Sequence, residues 1–227
     1  MKKKIVVLTG AGMSAESGIS TFRDSNGLWE NHDIMEVASP EGWQNNPALV
    51  LDFYNKRRAQ LKEVKPNRGH EILVELEQQF EVQIITQNVD NLHERAGNTN
   101  ILHLHGELVK VRGEFSENES MYWEDDIYIG DKNNKGEQLR PDIVWFGEAV
   151  PAIDKAIPIM QQTDIVIIIG TSLQVYPAAG LMHYAKSNVP VYYIDPNPAS
   201  IYDLPNQLEV LAMSASVGLE KIQLQLQ

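Results

Sequence analysis

Lys4-Ile-Val-Val-Leu-Thr-Gly10-Ala-Gly12-Met-Ser-Ala15 decides how the rest of the chain is read. Residues 5–9 are apolar or β-branched with no polar alternation, the pattern of a strand covered on both faces. Directly after them Gly10, Gly12 and Ala15 stand at the spacing of a dinucleotide-binding turn. The first glycine permits a tight turn and the second lets backbone approach a pyrophosphate. A small third residue lets the following helix pack on the strand, whose N-terminal amides then face the anion. Any glycine-rich strand exit looks the same in isolation, so the motif needs support from the flanking chain.

Working outward, residues 18–29 are polar, glycine-punctuated and end in Trp29, which reads as a lid loop over a cofactor. Asn46-Pro47 is a helix start, and the helix should run to about residue 62, before Pro66. Val50, Tyr54, Arg57 and Leu61 fall on one of its faces, so Arg57 is a charge in an otherwise apolar stripe. A second helix is expected over residues 68–79 and a strand over 81–86. That strand runs into Gln87-Asn-Val-Asp90-Asn-Leu-His93, at the end of a strand where open α/β sheets place ligands. Residues 101–107 form a short strand ending in a His-Gly step. Residues 109–140 are acidic with interspersed aromatics and have no parallel-sheet character. Residues 131–136 read as a hairpin turn, since Lys135 occupies a position where a calcium loop needs an oxygen. A strand and turn over 143–148 and a helix over 152–162 precede the most hydrophobic strand, 164–169, which ends in Gly170-Thr-Ser172. A helix over 178–186, strands over 189–194 and 208–212, and a helix from about 216 complete an α/β doubly wound parallel sheet.

Composition bounds the function. The 227 residues carry a net charge of −12 with no long basic run, which argues against a nucleic-acid face. There is no cysteine, so disulfides, thiol catalysis and thiolate metal sites are excluded. The apolar run after Lys2–Lys4 is too short for a signal peptide, and no stretch reaches the ~18 apolar residues of a membrane span. A soluble, cytoplasmic protein without membrane partners is the expectation.

Gly10-Ala-Gly-Met-Ser-Ala-Glu-Ser-Gly-Ile-Ser-Thr-Phe-Arg23, Gly27-Leu-Trp29, Thr86-Gln-Asn-Val-Asp-Asn-Leu-His93, His103-Leu-His-Gly106, Val144-Trp-Phe-Gly-Glu148, Gly170-Thr-Ser172 and Val175-Tyr-Pro-Ala178 occur in this order over nearly the whole chain. Together they resemble the sirtuin family. The resemblance implies a Rossmann-like fold and an NAD-dependent protein-lysine deacylase acting on acylated-lysine proteins or peptides. In that chemistry the acyl oxygen attacks the nicotinamide ribose, nicotinamide leaves, and the acyl group ends on ADP-ribose. It implies His105 as the catalytic base, a role that suits imidazole near neutral pH, and leaves His103 as a structural neighbour.

By the same resemblance Asn88 and Asp90, with Gln87 and Val89, surround the nicotinamide end, where an amide and a carboxylate complement a carboxamide. Gly10, Ala11, Gly12, Ser14 and Ala15 form the phosphate turn, and Thr21, Phe22, Arg23 and Trp29 the lid. Gly170, Thr171, Ser172, Asn197 and Ala215 take the adenosine half. Val144, Phe146, Gly147, Glu148 and Val175 clasp the substrate as an added strand, a mode that admits many sequences. The implied domains are 1–20, 67–108 and 141–227 for NAD, and 21–66 with 109–140 for a smaller inserted domain. NAD is expected in the cleft between them.

The chain departs from the family between the His-Gly and Val-Trp-Phe-Gly motifs, where four zinc cysteines are usual and none occurs. No zinc is therefore expected, and Phe115, Tyr122, Trp123 and Tyr128 are expected to form a small aromatic core instead. Phe53-Tyr54-x-x-Arg57 resembles the pocket motif of the subgroup that removes succinyl, malonyl and glutaryl groups, with Ala11 and Ala15 leaving room for the longer chain. Two other readings are a sensor of NAD or ADP-ribose without turnover, and an NAD glycohydrolase or ADP-ribosyltransferase. Nicotinamide release separates the first, and its dependence on an acylated lysine the second.

Overall fold

The computed structural model describes residues 2–21, the backbone of 28–29, and residues 32–116 and 119–226. In chain order, β1 (Lys4–Thr9), α1 (Gly12–Ala15), β2 (Leu28–Trp29), β3 (His32–Asp33), α2 (Ile34–Val37), α3 (Pro40–Asn45), α4 (Pro47–Glu63) and α5 (Arg68–Leu76) come first. Then follow β4 (Glu81–Thr86), α6 (Leu92–Ala96), β5 (Ile101–His103), β6 (Gly106–Gly113), β7 (Met121–Tyr122) and β8 (Leu139–Ile143). Finally α7 (Ile153–Gln161), β9 (Ile165–Ile169), a 3-10 helix (Ala178–Tyr184), β10 (Val191–Ile194), β11 (Leu208–Leu211) and α8 (Ala215–Leu226) close the chain.

Six strands make one parallel sheet in the order β11-β10-β9-β1-β4-β5. Because residues 5–8 of β1 and all of β9 are apolar with no polar alternation, both faces of these strands must be covered. Ile5, Val7, Ile84 and Ile167 pack with Met13, Ile72, Leu73 and Leu219, which sets α5 and α8 on one side. Val6, Leu8, Ile85, Val166 and Ile168 pack with Ala156, Met160 and Leu181 on the other. Burial of each such side chain contributes roughly 1.5–3 kcal/mol. β1 lies between β4 and β9, so the chain leaves it in opposite directions, and the C-terminal ends of these three strands form a topological switch point.

A third apolar cluster joins α4 to a three-stranded antiparallel sheet, β7-β6-β8, through Val50, Phe53, Tyr54, Leu61, Leu108, Val111, Leu139 and Trp145. Pro141 sits inside β8 opposite Val111, where the register shifts, a position that tolerates the missing donor.

Three expectations change. The strand expected over 143–148 lies earlier, at Leu139–Ile143, because Phe146 donates its amide to Ala38 O (2.9 Å) and Gly147 turns with φ +92°. The helix expected over 178–186 is a tighter 3-10 helix, in which Gly180 N donates to Pro177 O. The aromatic core does not form: Phe115, Tyr122 and Tyr128 are 76%, 63% and 63% exposed, and only Trp123 packs against the α4 cluster. Neighbouring acids explain it, since the Tyr122 and Tyr128 hydroxyls donate to Glu124 and Asp126 at the surface. Polar links hold this segment instead. Asn55 brackets Ile127 through both its amide and carbonyl, and Glu137 accepts from Ser116 and Asn133.

Candidate active site

Gly10 and Gly12 serve contact between two loops. A Cβ on Gly10 would lie 2.7 Å from Gly170 O, one on Gly12 2.6 Å from Gly170 Cα, and Gly170 itself has φ +61°. The exits of β1 and β9 are thus pressed together, leaving no space for side chains. Of the amides expected to face an anion at this helix start, those of Gly10, Gly12, Met13 and Ser14 donate to backbone carbonyls. Ala15 is exposed, and the inward residues of the short α1 are Met13 and Ser14.

Ser14 opens a buried polar network. Its hydroxyl donates to Asp90 Oδ2 (2.9 Å) and accepts from Asn88 Nδ2 (3.2 Å), while Asp90 Oδ1 accepts from Leu92 N at the start of α6. Asn88 and Asp90 are 8% and 7% exposed. Burial raises the Asp90 carboxyl above its usual range, partly offset by those two donors. Gln87 bridges the strand exits, its amide N bonding Thr9 O and its side chain Thr171 Oγ1 (3.1 Å).

His105 Nδ1 lies 3.0 Å from Gln87 O. A carbonyl only accepts, so Nδ1 carries the proton and Nε2 holds the lone pair. Burial lowers the pKa of His105, and the Gln87 carbonyl acts in the opposite sense, so the ring is neutral at neutral pH. His103 instead spans Asn88 O (3.1 Å) and Glu94 Oε1 (2.8 Å). Glu94, His103 and Glu107 bring donor atoms within 4.8 Å of one another, but the His103–Glu94 and Glu107–Lys110 pairs engage all three.

Val144 donates its amide to His105 O (2.9 Å), and the next residue, Trp145, donates its indole N–H to the Tyr54 hydroxyl (3.1 Å). These two bonds bring α4 to the histidine. Tyr54 is fully buried; Arg57, one turn later, is half-buried with its guanidinium 4.9 Å from the Phe53 ring centroid.

A family model described as the Sir2 family matches residues 10–177. The chain belongs to the Sir2, or sirtuin, family. This Sir2 chain is 58% identical over 213 residues to an NAD-dependent protein deacylase of Helicobacter pylori, covering 94% of the chain and 93% of that protein. It is 56% identical over 226 residues to an NAD-dependent protein deacylase of Bacteroides thetaiotaomicron, covering 97% and 96%. A Sir2 homologue solved as its NAD complex superposes with a TM-score of 0.87 at 35% identity, covering 99% of this chain and 89% of that one.

The remaining expected Sir2 site residues divide by position. Phe22 and Arg23, and the Trp29 side chain, lie outside the described residues, as does most of the expected lid; Thr21 and Ala11 are half-buried. Val89 is half-buried and its carbonyl accepts from Leu108 N. Thr171 is buried, Ser172 half-buried and Asn197 exposed. Ala215 is not in a loop: it opens α8 and is 3% exposed within the core. Phe146, Gly147 and Val175 are exposed, as an added strand requires, whereas Glu148 turns inward onto Arg140 (2.8 and 3.2 Å) and the Trp145 amide (2.7 Å).

Sequence reasoning missed Arg58, which is 2% exposed and ties α4 to β6 through Leu108 O (2.9 Å). Arg58 stands four residues after Tyr54 and three before Leu61, so helical spacing alone did not separate it from Arg57. It also missed His70 and His93, whose rings meet at 4.8 Å behind the network. His93 Nε2 lies 3.2 Å from Thr9 Oγ1, which donates to Thr86 Oγ1, the acceptor for Asn88 N.

Burial lowers His70 from 6.5 to about 4. Protonating it favours the unfolded chain, so its contribution is complete above pH 6.5 and is lost as pH falls through about 4. The difference is of order 3 kcal/mol. Thermal unfolding between pH 7 and 4.5 should therefore show a steeper loss of Tm for wild type than for His70→Gln. Parallel curves would remove His70 as the cause.

Proposed function

We propose that the chain is an NAD-dependent protein deacylase that prefers succinyl-lysine and malonyl-lysine to acetyl-lysine. The deacylase part rests on membership of the Sir2 family and on the identity to protein deacylases over nearly the full chain. NAD is the co-substrate, and the donor set fits it: Asn88 and Asp90 complement a carboxamide, while Ser172 and Asn197 supply a hydroxyl and an exposed amide for ribose and phosphate oxygens. NAD supplies the ribose carbon that accepts the acyl oxygen and the nicotinamide that leaves. His105 takes a proton at Nε2 while Gln87 O holds its Nδ1–H. Asp90 and Asn88 hold the amide end in a dry pocket, and Val144, Phe146, Gly147, Glu148 and Val175 take the peptide backbone. NAD lies in the cleft between the sheet-bearing segments 1–20, 67–108 and 141–227 and the inserted segments 21–66 and 109–140.

The acyl preference rests on one observation: a fully buried Tyr54 hydroxyl, one helical turn from the Arg57 guanidinium, is hydrogen-bonded to the residue following Val144. A guanidinium fork binds a distal carboxylate bidentately and a phenol adds a third donor. A neutral acetyl group carries no distal carboxylate for those donors to bind. Acetyl, malonyl and succinyl forms of one peptide, incubated with NAD, test this. The expected kcat/KM for succinyl exceeds that for acetyl by about 10²-fold, and Arg57→Met collapses the ratio. An acetyl preference in the wild type, or equal losses on both substrates in Arg57→Met, would leave a plain deacetylase.

A further inference from the structure

We propose that Trp145 is a positioning residue for acyl selectivity, acting through Tyr54. This rests on the acyl preference proposed above. The Trp145 ring has two close neighbours: the Arg140 guanidinium carbon lies 3.2 Å from its centroid, and the Trp43 ring lies at 5.7 Å. Its backbone is fixed as well, since Glu148 Oε2 accepts the Trp145 amide (2.7 Å) while that carboxylate grips Arg140. The direction of the indole N–H is therefore set by β8 and by the turn that follows it.

That N–H donates to the Tyr54 hydroxyl at 3.1 Å, with Trp145 2% and Tyr54 0% exposed, so water does not substitute for it. A phenol has one proton and two lone pairs. Accepting from the indole fills a lone pair, turns the phenol's own proton away from Trp145, and polarises it as a donor. Tyr54 and Arg57 share a helix face at a spacing of three residues, so a rotor fixed in this way lets both donate to one acyl carboxylate. An acetyl group has no such terminus. Trp145 consequently alters the ratio between substrates and not their shared chemistry.

Trp145→Phe keeps an aromatic ring at this position and removes the N–H together with part of the indole. The expected result is a succinyl-to-acetyl kcat/KM ratio about five- to tenfold below wild type, the scale of one neutral hydrogen bond. In a Tyr54→Phe background the same change should lower the ratio no further, because the partner is gone. A ratio unmoved by Trp145→Phe, an undiminished effect in the Tyr54→Phe background, or equal losses on both substrates would overturn the proposal. If Trp145→Phe does not accumulate folded, the indole proton and nitrogen resonances of Trp145 decide. They should shift on Tyr54→Phe, and indifference to that change overturns the assignment. A wild type that prefers acetyl would overturn the acyl reading along with this one. A succinyl preference that Arg57→Met removes and Trp145→Phe leaves intact would overturn this inference alone.

Discussion

His105→Gln is expected to lower deacylation about 10³-fold, within the range spanned by general-base catalysis, while NAD binding persists. Glutamine keeps a donor for Gln87 O but has no basic nitrogen at the position of Nε2. The pH profile gives the sharper test. His105 works as a base only when neutral, and burial depresses its pKa. Activity should therefore hold as pH falls into the ordinary histidine range, and its acid limb should lie below 6.5. A limb at or above 6.5, or a residual His105→Gln activity with the same limb, would assign the base elsewhere. Activity within threefold of wild type would do the same.

Gly106→Ala is expected to cost several kcal/mol, of order 10 °C in Tm for a chain of this size, with loss of activity. Gly106 has φ +79°, and a Cβ there would sit 2.0 Å from Asp142 O, on the strand paired with it. The clash is with backbone, so relief requires β6 and β8 to part, which breaks the Val144–His105 bond as well. Gly136 provides the comparison. Its φ is +81° but nothing lies within 4 Å of its Cβ position, so Gly136→Ala pays the conformational penalty alone, about 1 kcal/mol. Equal Tm losses in the two variants would show that close packing at the His-Gly step is not what demands glycine.

The central sheet was legible because residues 5–9, 81–86 and 165–169 are compact β-rich runs, ending in the glycine-rich or polar exits that parallel strands use. The polar cluster of Gln87, Asn88 and Asp90 at one of those exits was legible as a strand end for the same reason. Residues 109–140 were not, because burial of an aromatic depends on what lies opposite. Tyr122 belongs to a two-residue edge strand, whereas Trp123 reaches the α4 cluster. The links between distant segments were equally hidden. Nothing local to Trp145 announces a bond to Tyr54, 91 residues earlier, and Arg57 and Arg58 differ only in which side of one helix packs inward. Glu148, read as part of a peptide clasp, is held by Arg140 from β8, a partner that periodicity does not reveal.

Glu16, at the end of α1, accepts from Ser214 Oγ (3.2 Å), Ser216 N (2.9 Å) and Ser216 Oγ (3.0 Å), joining the first turn of the fold to the start of α8 across 200 residues. Leu219 of the same helix shares a cluster with Met13 and Ile72. The glycine-rich turn is therefore made 200 residues ahead of this part of its cover. β1 likewise waits for β9, more than 150 residues behind it, before both its edges are paired. The nascent chain therefore carries an incompletely paired apolar strand until β9 has been made. Stopping translation before residue 215 removes α8, and with it Leu219, from the cluster that holds Met13 and Ile72.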